Sequence, residues 1–376
     1  MEESLTYSDV LIKPQFSLIR SRAEVSLDFD FLGMLLSLPI ISSNMDSVTS
    51  PELAAAMSFG GAASALHRFQ TIDENVNQFY KAIELATNSI HTSKYTHKPI
   101  GSFGVGKLEY ERAIALVDAG CNTLLLDVAH GAAIHVVEQY DRLRSRVSDN
   151  VSIIVGNFDN SESIKAFIYH SKSNKKPDAL KVGIGNGSAC ITRVVTGVGG
   201  GMISTLLDCS QMNIPLIADG GAKNSGDIAK ALAAGADMVM MGSLFAGTTE
   251  APGELVDERG RTERDVNFYI KTMGQLVPSP YAVFAPPFFK RYRGSASIES
   301  YAIQDKIADH RTPEGESMLI PHIGSVESVL SKISAGLRST LSYTGSNTIN
   351  EFKEKAELRK VSPETHYESQ AHAKDR

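Results

Sequence analysis

The chain has 376 residues, a formal net charge of −6 and a pI near 6.0. This acidic balance gives no support for recognition of nucleic acids or membrane surfaces through bulk charge, whereas a small phosphate-bearing ligand needs only local donors. The start of the chain lacks a basic and apolar leader, and no apolar run approaches the ~20 residues of a membrane span.

The three cysteines, Cys121, Cys190 and Cys209, are too few for a disulfide framework and lack the spacing of a metal site. We therefore expect a reducing, cytoplasmic compartment. From the acidic charge and the lack of an apolar span, we expect no membrane or nucleic-acid partner. The length suits several ordinary domains or one large α/β barrel.

Eight short apolar runs, each followed by small or polar residues, predict strands. Helical patterns lie between most of them, and continuous apolar strands that alternate with helices indicate a parallel sheet buried on both faces. Eight such units predict an α/β fold of the (β/α)8 TIM-barrel type, with a doubly wound sheet as the alternative. The runs are Leu38–Met45, Gly60–Leu66, Pro99–Val105, Thr123–Val128, Ser152–Val155, Ala179–Ile184, Ile214–Ala218 and Met238–Met241.

Several helices have recognisable ends. Ser50 followed by Pro51 is typical of a helix start, and Thr71 before an acidic turn begins another. Further helices are predicted over 109–119, over 224–234 with Gly235 as the terminator, and over 326–338.

The regular alternation ends near Glu250, and residues 255–291 mix charge with prolines. Irregular stretches of this length are typical of lids, so we expect a long C-terminal flap and insertion over about 255–320. The polar tail, 361–376, is predicted to be flexible. We expect the whole chain, 1–376, to form a single catalytic barrel.

Polar side chains and glycines follow nearly every predicted strand. In a TIM barrel these positions meet at one rim, where active sites lie. So many convergent groups favour an active site over ordinary turn chemistry. They are Asn44, Asp46, His67, Arg68, Asp127, His130, Asn157, the loop 183–193, Asp219, Gly220, Gly221, Gly242 and Ser243.

The loop after the sixth predicted strand carries Gly183, Gly185 and Gly187, and then Cys190. Alternating glycines let a ligand or ion approach the backbone closely, and a cysteine on such a loop is a candidate nucleophile. Loop amides and Arg193 would favour its thiolate, and Thr192 would relay a proton. The alternative is a tight turn with Cys190 as a small buried residue.

Two further loops predict a phosphate site. Asp219-Gly220-Gly221 and Gly242-Ser243 supply backbone amides after strands seven and eight, where barrels commonly hold phosphate, and Ser188 adds a hydroxyl. The carboxylate of Asp219 would accept hydrogen bonds from sugar hydroxyls. Its alternative role is to cap the following helix.

These motifs resemble the IMP dehydrogenase/GMP reductase family, and the loop 181–199 is similar to that family's catalytic-cysteine loop. The resemblance covers almost the whole chain. It implies a (β/α)8 barrel, a covalent purine–cysteine intermediate, a nicotinamide cofactor and a homotetramer. The matching stretches are 5–11, 43–49, 126–131, 155–157, 217–221, 241–254 and 292–294.

The resemblance also implies residue roles. Cys190 would attack C2 of a purine nucleotide monophosphate, with Thr192 and Glu314 handling the proton on water or ammonia. Asp127 and Asn157 would lie at the cofactor, NADPH or NAD. The carbonyls of Gly183, Gly185 and Cys190 would bind K⁺. The nucleotide's ribose and phosphate would be held by Ser188, Asp219, Gly221, Gly242, Ser243, Tyr292 and Gly294.

Two features favour the reductase reaction, in which GMP and NADPH give IMP, ammonia and NADP. The regulatory CBS pair of most IMP dehydrogenases is absent after the second strand. The Arg-Tyr dipeptide with which dehydrogenases activate water corresponds here to Ser300-Tyr301, so the base is lost.

Other features favour the alternative, IMP dehydrogenase, which makes XMP and NADH from IMP, NAD and water. The stretches 248–254 and 348–352 and the tail 368–370 are similar to dehydrogenases, with Gln370 at the place of a potassium-binding histidine. The segment before Tyr292 matches neither enzyme. An inactive nucleotide-binding barrel is the second alternative.

Overall fold

Eight parallel strands close into a barrel in the order in which they occur in the chain. The computed structural model describes residues 3–88, 93–263, 287–303 and 312–369. The strands are β1 (Val10–Ile12), β2 (Phe29–Phe31), β3 (Met34–Leu36), β4 (Ile40–Ser42), β5 (Ala63–Leu66), β6 (Ile100–Phe103), β7 (Thr123–Asp127), β8 (Ser152–Phe158), β9 (Ala179–Val182), β10 (Leu216–Asp219), β11 (Met238–Met241), β12 (Phe289–Arg293), β13 (Ser317–Pro321) and β14 (Leu358–Lys360). Strands β4 to β11 form the barrel, with β9 beside β10 and β11 beside β4. The TIM-barrel prediction is therefore confirmed, and the doubly wound alternative is wrong.

Alternate side chains of each barrel strand face inward and outward. On β7, Leu125 belongs to the interior cluster, whereas Leu124 and Leu126 pack outward in the larger core. The hairpin β2–β3 directly precedes β4, and its Phe31 and Met34 join the interior cluster. The hairpin therefore closes the amino-terminal end of the barrel with apolar side chains, and the polar groups lie at the carboxyl-terminal ends of the strands.

The helices between the strands begin at the expected capping residues. Ser50 Oγ accepts a hydrogen bond from the Leu53 amide at 3.0 Å, and Thr71 forms a capping box with Glu74. The helices are α1 (Pro51–Phe59), α2 (Ile72–Thr87), α3 (Lys107–Asp118), α4 (Ile134–Arg144), α5 (Ser161–His170), α6 (Thr192–Thr196), α7 (Met202–Cys209), α8 (Ser225–Ala233), α9 (Ser243–Ala246), α10 (Ile298–Ile303), α11 (Val326–Tyr343), α12 (Ile349–Lys355) and α13 (Pro363–Glu368). Helix α3 starts two residues before its predicted start, and α11 runs to Tyr343 rather than ending at Arg338. Short 3-10 helices cover Tyr7–Asp9, Arg22–Glu24 and Ser210–Met212.

The predicted C-terminal excursion contains an antiparallel hairpin, β12–β13, which we call the flap hairpin. Of the predicted flap and insertion, 264–286 and 304–311 lie outside the described residues. Strand β14 pairs with β1 just before the tail, and α13 lies within it. The predicted flexibility of 361–376 stays a prediction. Gln370 lies outside the described residues.

Among the helices described, none combines the length and the apolar character that crossing a bilayer would require.

Candidate active site

The cysteine loop leaves β9 and turns sharply before α6. Gly183 and Gly185 have φ values of +120° and +78°, a region that other residues rarely adopt. The guanidinium of Arg193 donates hydrogen bonds to the carbonyls of Ile184 and Gly200. Within the described part of the chain it makes no hydrogen bond with Cys190, so the predicted support of the thiolate by Arg193 stays a prediction. Its two hydrogen bonds join Ile184 to Gly200 and stabilise the conformation of the loop.

The sulfur of Cys190 lies at the end of this loop, 3.0 Å from Thr192 Oγ1. It is partly exposed, whereas Cys121 and Cys209 are buried, 2% and 0% exposed. The arrangement favours a reactive cysteine over a buried turn residue. A thiol and a hydroxyl at this separation can pass a proton between them.

The flap hairpin reaches the cysteine loop through backbone hydrogen bonds. Ile191 N donates to the Glu314 carbonyl at 2.8 Å, and Glu316 N donates to the Ala189 carbonyl at 2.8 Å. An added Cβ at Gly294 would lie 3.1 Å from that same Ala189 carbonyl, so the glycine allows the hairpin to approach the loop closely. This pairing places Glu314 beside Cys190 and Thr192, although it is remote from them in the sequence.

These groups line a cavity of about 370 Å³ at the carboxyl-terminal ends of the strands. Phe69, Val128 and Ala129 supply apolar wall on the side of Asp127. The sequence-predicted residues that line the cavity are Asn44, Arg68, Asp127, Asn157, Gly183, Gly185, Gly187, Cys190, Thr192, Asp219, Tyr292, Gly294 and Glu314.

Lys181 is a residue of the cavity wall that the sequence reasoning missed. It is 3% exposed and extends from β9 into the cavity wall. Its ammonium donates to Asp127 Oδ1 at 2.9 Å and to Asp219 Oδ2. The available signal was a lysine inside an otherwise apolar strand, a position that a charge occupies only when it is paired.

Two asparagines extend this network. Asn44 Nδ2 donates to Asp127 Oδ2 at 2.9 Å. Asn157 Nδ2 donates to Asp219 Oδ2 at 2.9 Å and to the Gly183 carbonyl at 2.7 Å. Helix α8 is capped by Asn224, so the alternative role of Asp219 as a cap is wrong. Asp219 Oδ1 has no hydrogen bond to any described residue and is free for a ligand.

The charges in this network keep their ionised forms. Burial opposes the charge of Asp127, but Lys181 and Arg68 more than offset it and hold the pKa of Asp127 below its ordinary value. Burial likewise opposes the charge of Lys181, yet its two carboxylate partners raise its pKa. Burial, Asp219 and Cys190 raise the pKa of Tyr292, so its phenol stays neutral and can donate a hydrogen bond.

The predicted phosphate residues adjoin the cavity without lining it. These are Ser188, Gly221, Gly242 and Ser243, and the Ser188 and Ser243 hydroxyl oxygens are 3.1 Å apart. An added Cβ at Gly242 would lie 2.9 Å from Tyr292 Oη and 3.0 Å from Ser43 Oγ. The two loops and the flap hairpin therefore converge on one small polar region.

Several buried polar atoms near these loops have no hydrogen-bond partner within the described residues. They are Ser43 Oγ, Tyr7 Oη and both amide atoms of Asn186. Ser43 and Asn186 line the cavity, and Tyr7 lies 3.3 Å from an added Cβ at Gly221. Buried polar atoms in proteins are nearly always satisfied, so these atoms are available to a polar ligand or to water. The sequence reasoning missed all three residues.

The chain is similar to known proteins along nearly its whole length. A model of the IMP dehydrogenase / GMP reductase domain matches residues 4–270 and 272–372. An inosine-5'-monophosphate dehydrogenase of Cryptosporidium parvum is 30% identical over 98% of this chain and 95% of its own length. GMP reductase 1 of Mus musculus is 30% identical over 95% of this chain and 95% of its own. The inosine-5'-monophosphate dehydrogenase of Mycobacterium tuberculosis is 38% identical over 72% of this chain and 48% of its own. Since relatives with both names match equally over nearly the full length, identity alone does not select the reaction.

Proposed function

Because the chain belongs to the IMP dehydrogenase/GMP reductase family, we propose that this oxidoreductase is a GMP reductase, converting GMP and NADPH to IMP, ammonia and NADP. The covalent reaction is supported by Cys190, Thr192 and Glu314, which line one cavity at the rim of the barrel, and the choice of the reductase is carried by the burial of Ser300. A thiol, a hydroxyl and a carboxylate supply a nucleophile and a route for a proton.

In the proposed reaction the Cys190 thiolate forms a bond to C2 of the purine, and the 2-amino group leaves as ammonia. Thr192 and Glu314 deliver the proton that the departing amine needs. The nicotinamide cofactor, when bound, supplies the hydride that C2 receives. The C2–S bond then breaks, and its electron pair returns to the sulfur. Overall, GMP, NADPH and two protons give IMP, NADP⁺ and ammonium.

The remaining predicted residues bind the two ligands. Asp219 accepts from ribose hydroxyls through its free Oδ1, and Tyr292 donates to the phosphate. Asp127 and Asn157 face the cofactor, and the apolar wall at Phe69 suits a nicotinamide ring. Together with Tyr292, the residues proposed at the phosphate are Ser188, Gly221, Gly242, Ser243 and Gly294.

The reductase is favoured over the dehydrogenase by the surroundings of Ser300. This residue lies in α10, is 1% exposed and does not line the cavity. Its amide donates to Ser297 Oγ at 3.2 Å. The position matched to the dehydrogenase base therefore supplies no group to activate water. The side chain of Tyr301 lies outside the described residues.

The dehydrogenase-like stretch 248–254 has a structural task that does not depend on the reaction. Glu250 Oε2 accepts from Val326 N at 2.9 Å, and the Glu250 carbonyl accepts from Ser50 Oγ at 2.7 Å. Lys290 of the flap hairpin donates to the carbonyls of Thr249 and Ala251. The stretch thus joins the flap hairpin, α1 and α11, and it does not argue for the dehydrogenase.

Absorbance at 340 nm with the purified full chain tests the proposal. GMP-dependent loss of the NADPH signal is expected. A rise with IMP and NAD would identify a dehydrogenase instead, and nucleotide binding without either change would identify an inactive barrel. Cys190→Ala should abolish turnover and retain nucleotide binding, with Cys121→Ala as the matched control. Turnover by Cys190→Ala would overturn the covalent mechanism.

Four further expectations remain part of the proposal: a single catalytic barrel without a CBS pair, a cytoplasmic location, a homotetramer and bound K⁺. The chain passes from β5 through the single helix α2 to β6, which supports a barrel without a CBS pair. The three free cysteines support a cytoplasmic location. Phe16 and Leu18, 89% and 83% exposed, support a subunit contact, which light scattering would test.

The proposed potassium site is built from the carbonyls of Gly183, Gly185 and Cys190. The Gly183 carbonyl already accepts the Asn157 amide, so a cation would have to approach its other lone pair. Activity measured in potassium and in a large organic cation tests this site.

A further inference from the structure

We propose that Lys181 is a positioning residue that couples the nucleotide half of the site to the cofactor half, through one ammonium shared by Asp219 and Asp127. The inference rests on the proposed function only in taking these halves to bind a purine nucleotide and a nicotinamide dinucleotide. It holds for either direction of hydride transfer.

The hydrogen bonds show how the ammonium orients each carboxylate. Lys181 and Asn157 both donate to Oδ2 of Asp219, a residue that lines the cavity, which leaves Oδ1 without a hydrogen bond to any described residue. Lys181 and Asn44 donate to different oxygens of Asp127, so that carboxylate is held at both ends. Each carboxylate orientation therefore depends on the same side chain of β9.

Because the three charges are largely buried, the orientations of Asp127 and Asp219 depend strongly on Lys181. The Lys181 side chain is 4% exposed, and those of Asp127 and Asp219 are 18% and 23% exposed. At this depth charges interact more strongly than in water, and two carboxylates within reach of one ammonium repel each other when it is removed. Without Lys181, one carboxylate would turn away, and the ligand that it binds would lose its acceptor.

A shared ammonium also links the two binding events. A ligand hydroxyl that donates to Asp219 Oδ1 withdraws charge from that carboxylate and leaves Lys181 more available to Asp127. Binding at either half then changes affinity at the other, and the two effects are equal because such coupling is reciprocal.

The decisive measurement is the affinity for GMP by calorimetry, with and without saturating NADP⁺, a pair between which no hydride can pass. In the wild type we expect NADP⁺ to change the GMP dissociation constant by at least about fivefold. Lys181→Met, which keeps the side-chain length without the charge, should weaken GMP binding about tenfold or more and reduce the coupling to about onefold. Lys181→Arg, which keeps the charge, should retain the coupling.

The double variant Lys181→Met/Asp127→Asn separates coupling from a merely structural role. Removing the second negative charge relieves Asp219, so GMP affinity should recover toward the wild-type value, while the coupling stays absent. A structural role predicts no recovery. The double variant removes one positive and one negative buried charge, so the net charge of the site stays as in the wild type. It can therefore still be measured if Lys181→Met does not fold.

The outcomes distinguish this inference from the proposed function. A wild-type chain that binds no purine monophosphate would overturn both. Wild-type turnover of GMP with unchanged coupling in Lys181→Met, or with no recovery in the double variant, would overturn the inference alone.

Discussion

The sulfur of Cys190 lies 3.0 Å from Thr192 Oγ1, and the residue between them donates its amide to the carbonyl of Glu314. The barrel supplies Cys190 and Thr192, and the segment that joins the two strands of the flap hairpin supplies Glu314. The proposed proton route therefore exists only when the hairpin pairs with the cysteine loop.

Replacing Thr192 by valine keeps the shape of the side chain and removes the hydroxyl. We expect kcat to fall about 10²–10⁴-fold, because a positioned proton-transfer group contributes this much, while GMP affinity changes little. Steady-state NADPH oxidation and calorimetry measure the two effects. Thr196→Val is the matched control, since its hydroxyl lies on an exposed helix face, where it donates to the Thr192 carbonyl and accepts from Val198 N. Equal activities of the two variants would contradict the proton role.

The flap hairpin is held to the barrel by the ion pair between Arg293 and Asp46. Arg293 Nε donates to both carboxylate oxygens at 3.1 Å. Arg293→Lys keeps the charge but loses the planar fork, so we expect kcat/KM to fall about tenfold with a small change in thermal stability. Lys13→Gln, which removes an exposed ion pair with Glu357, should change neither quantity. An unchanged kcat/KM in Arg293→Lys would show that the hairpin does not need this anchor.

Gly242→Ala should weaken nucleotide binding without unfolding the barrel. The added methyl group would meet Tyr292 Oη at 2.9 Å and Ser43 Oγ at 3.0 Å, and both would have to move away from the proposed phosphate. We expect the KM for GMP to rise about tenfold, which is typical of modest overpacking. Gly226→Ala is the control, because its methyl group would meet only the Asn224 side chain, outside the site. A KM within twofold of the wild type would place the phosphate elsewhere.

His67 makes the stability of the fold depend on pH. Its ring is buried, its Nδ1 accepts from Phe69 N, and burial lowers its pKa to about 4 from 6.5. Between these values the unfolded chain binds a proton that the folded chain does not, so stability falls as the pH falls from 6.5 toward 4. The full effect is about 3 kcal/mol.

Urea unfolding at pH 7, 6 and 5 measures this dependence. In His67→Gln the free energy of unfolding should depend less on pH over that range. In His170→Gln, which changes an exposed residue, it should depend on pH as in the wild type. Parallel slopes in all three proteins would mean that His67 does not stay neutral in the fold.

Local patterns were sufficient to predict the barrel. The barrel strands are mostly apolar, as a sheet with a core on both faces requires, and Ser50, Thr71 and Asn224 cap the helices that they were expected to begin. Cys190 could be singled out because a cysteine after alternating glycines is unusual. The hydrogen-bond partners of Arg193 could not be predicted, because nearness in sequence does not fix where a long side chain points.

The sequence by itself determined the barrel, the rim on which the polar residues meet and the family to which the chain belongs. Only the tertiary structure decided that Glu314 lies beside Cys190, that Lys181 joins Asp127 to Asp219, and that Ser300 is buried away from the cavity. The reason is physical. Strands and caps are set by periodicity and by neighbours a few residues away, whereas contacts between distant loops depend on how the closed barrel and the flap hairpin bring them together.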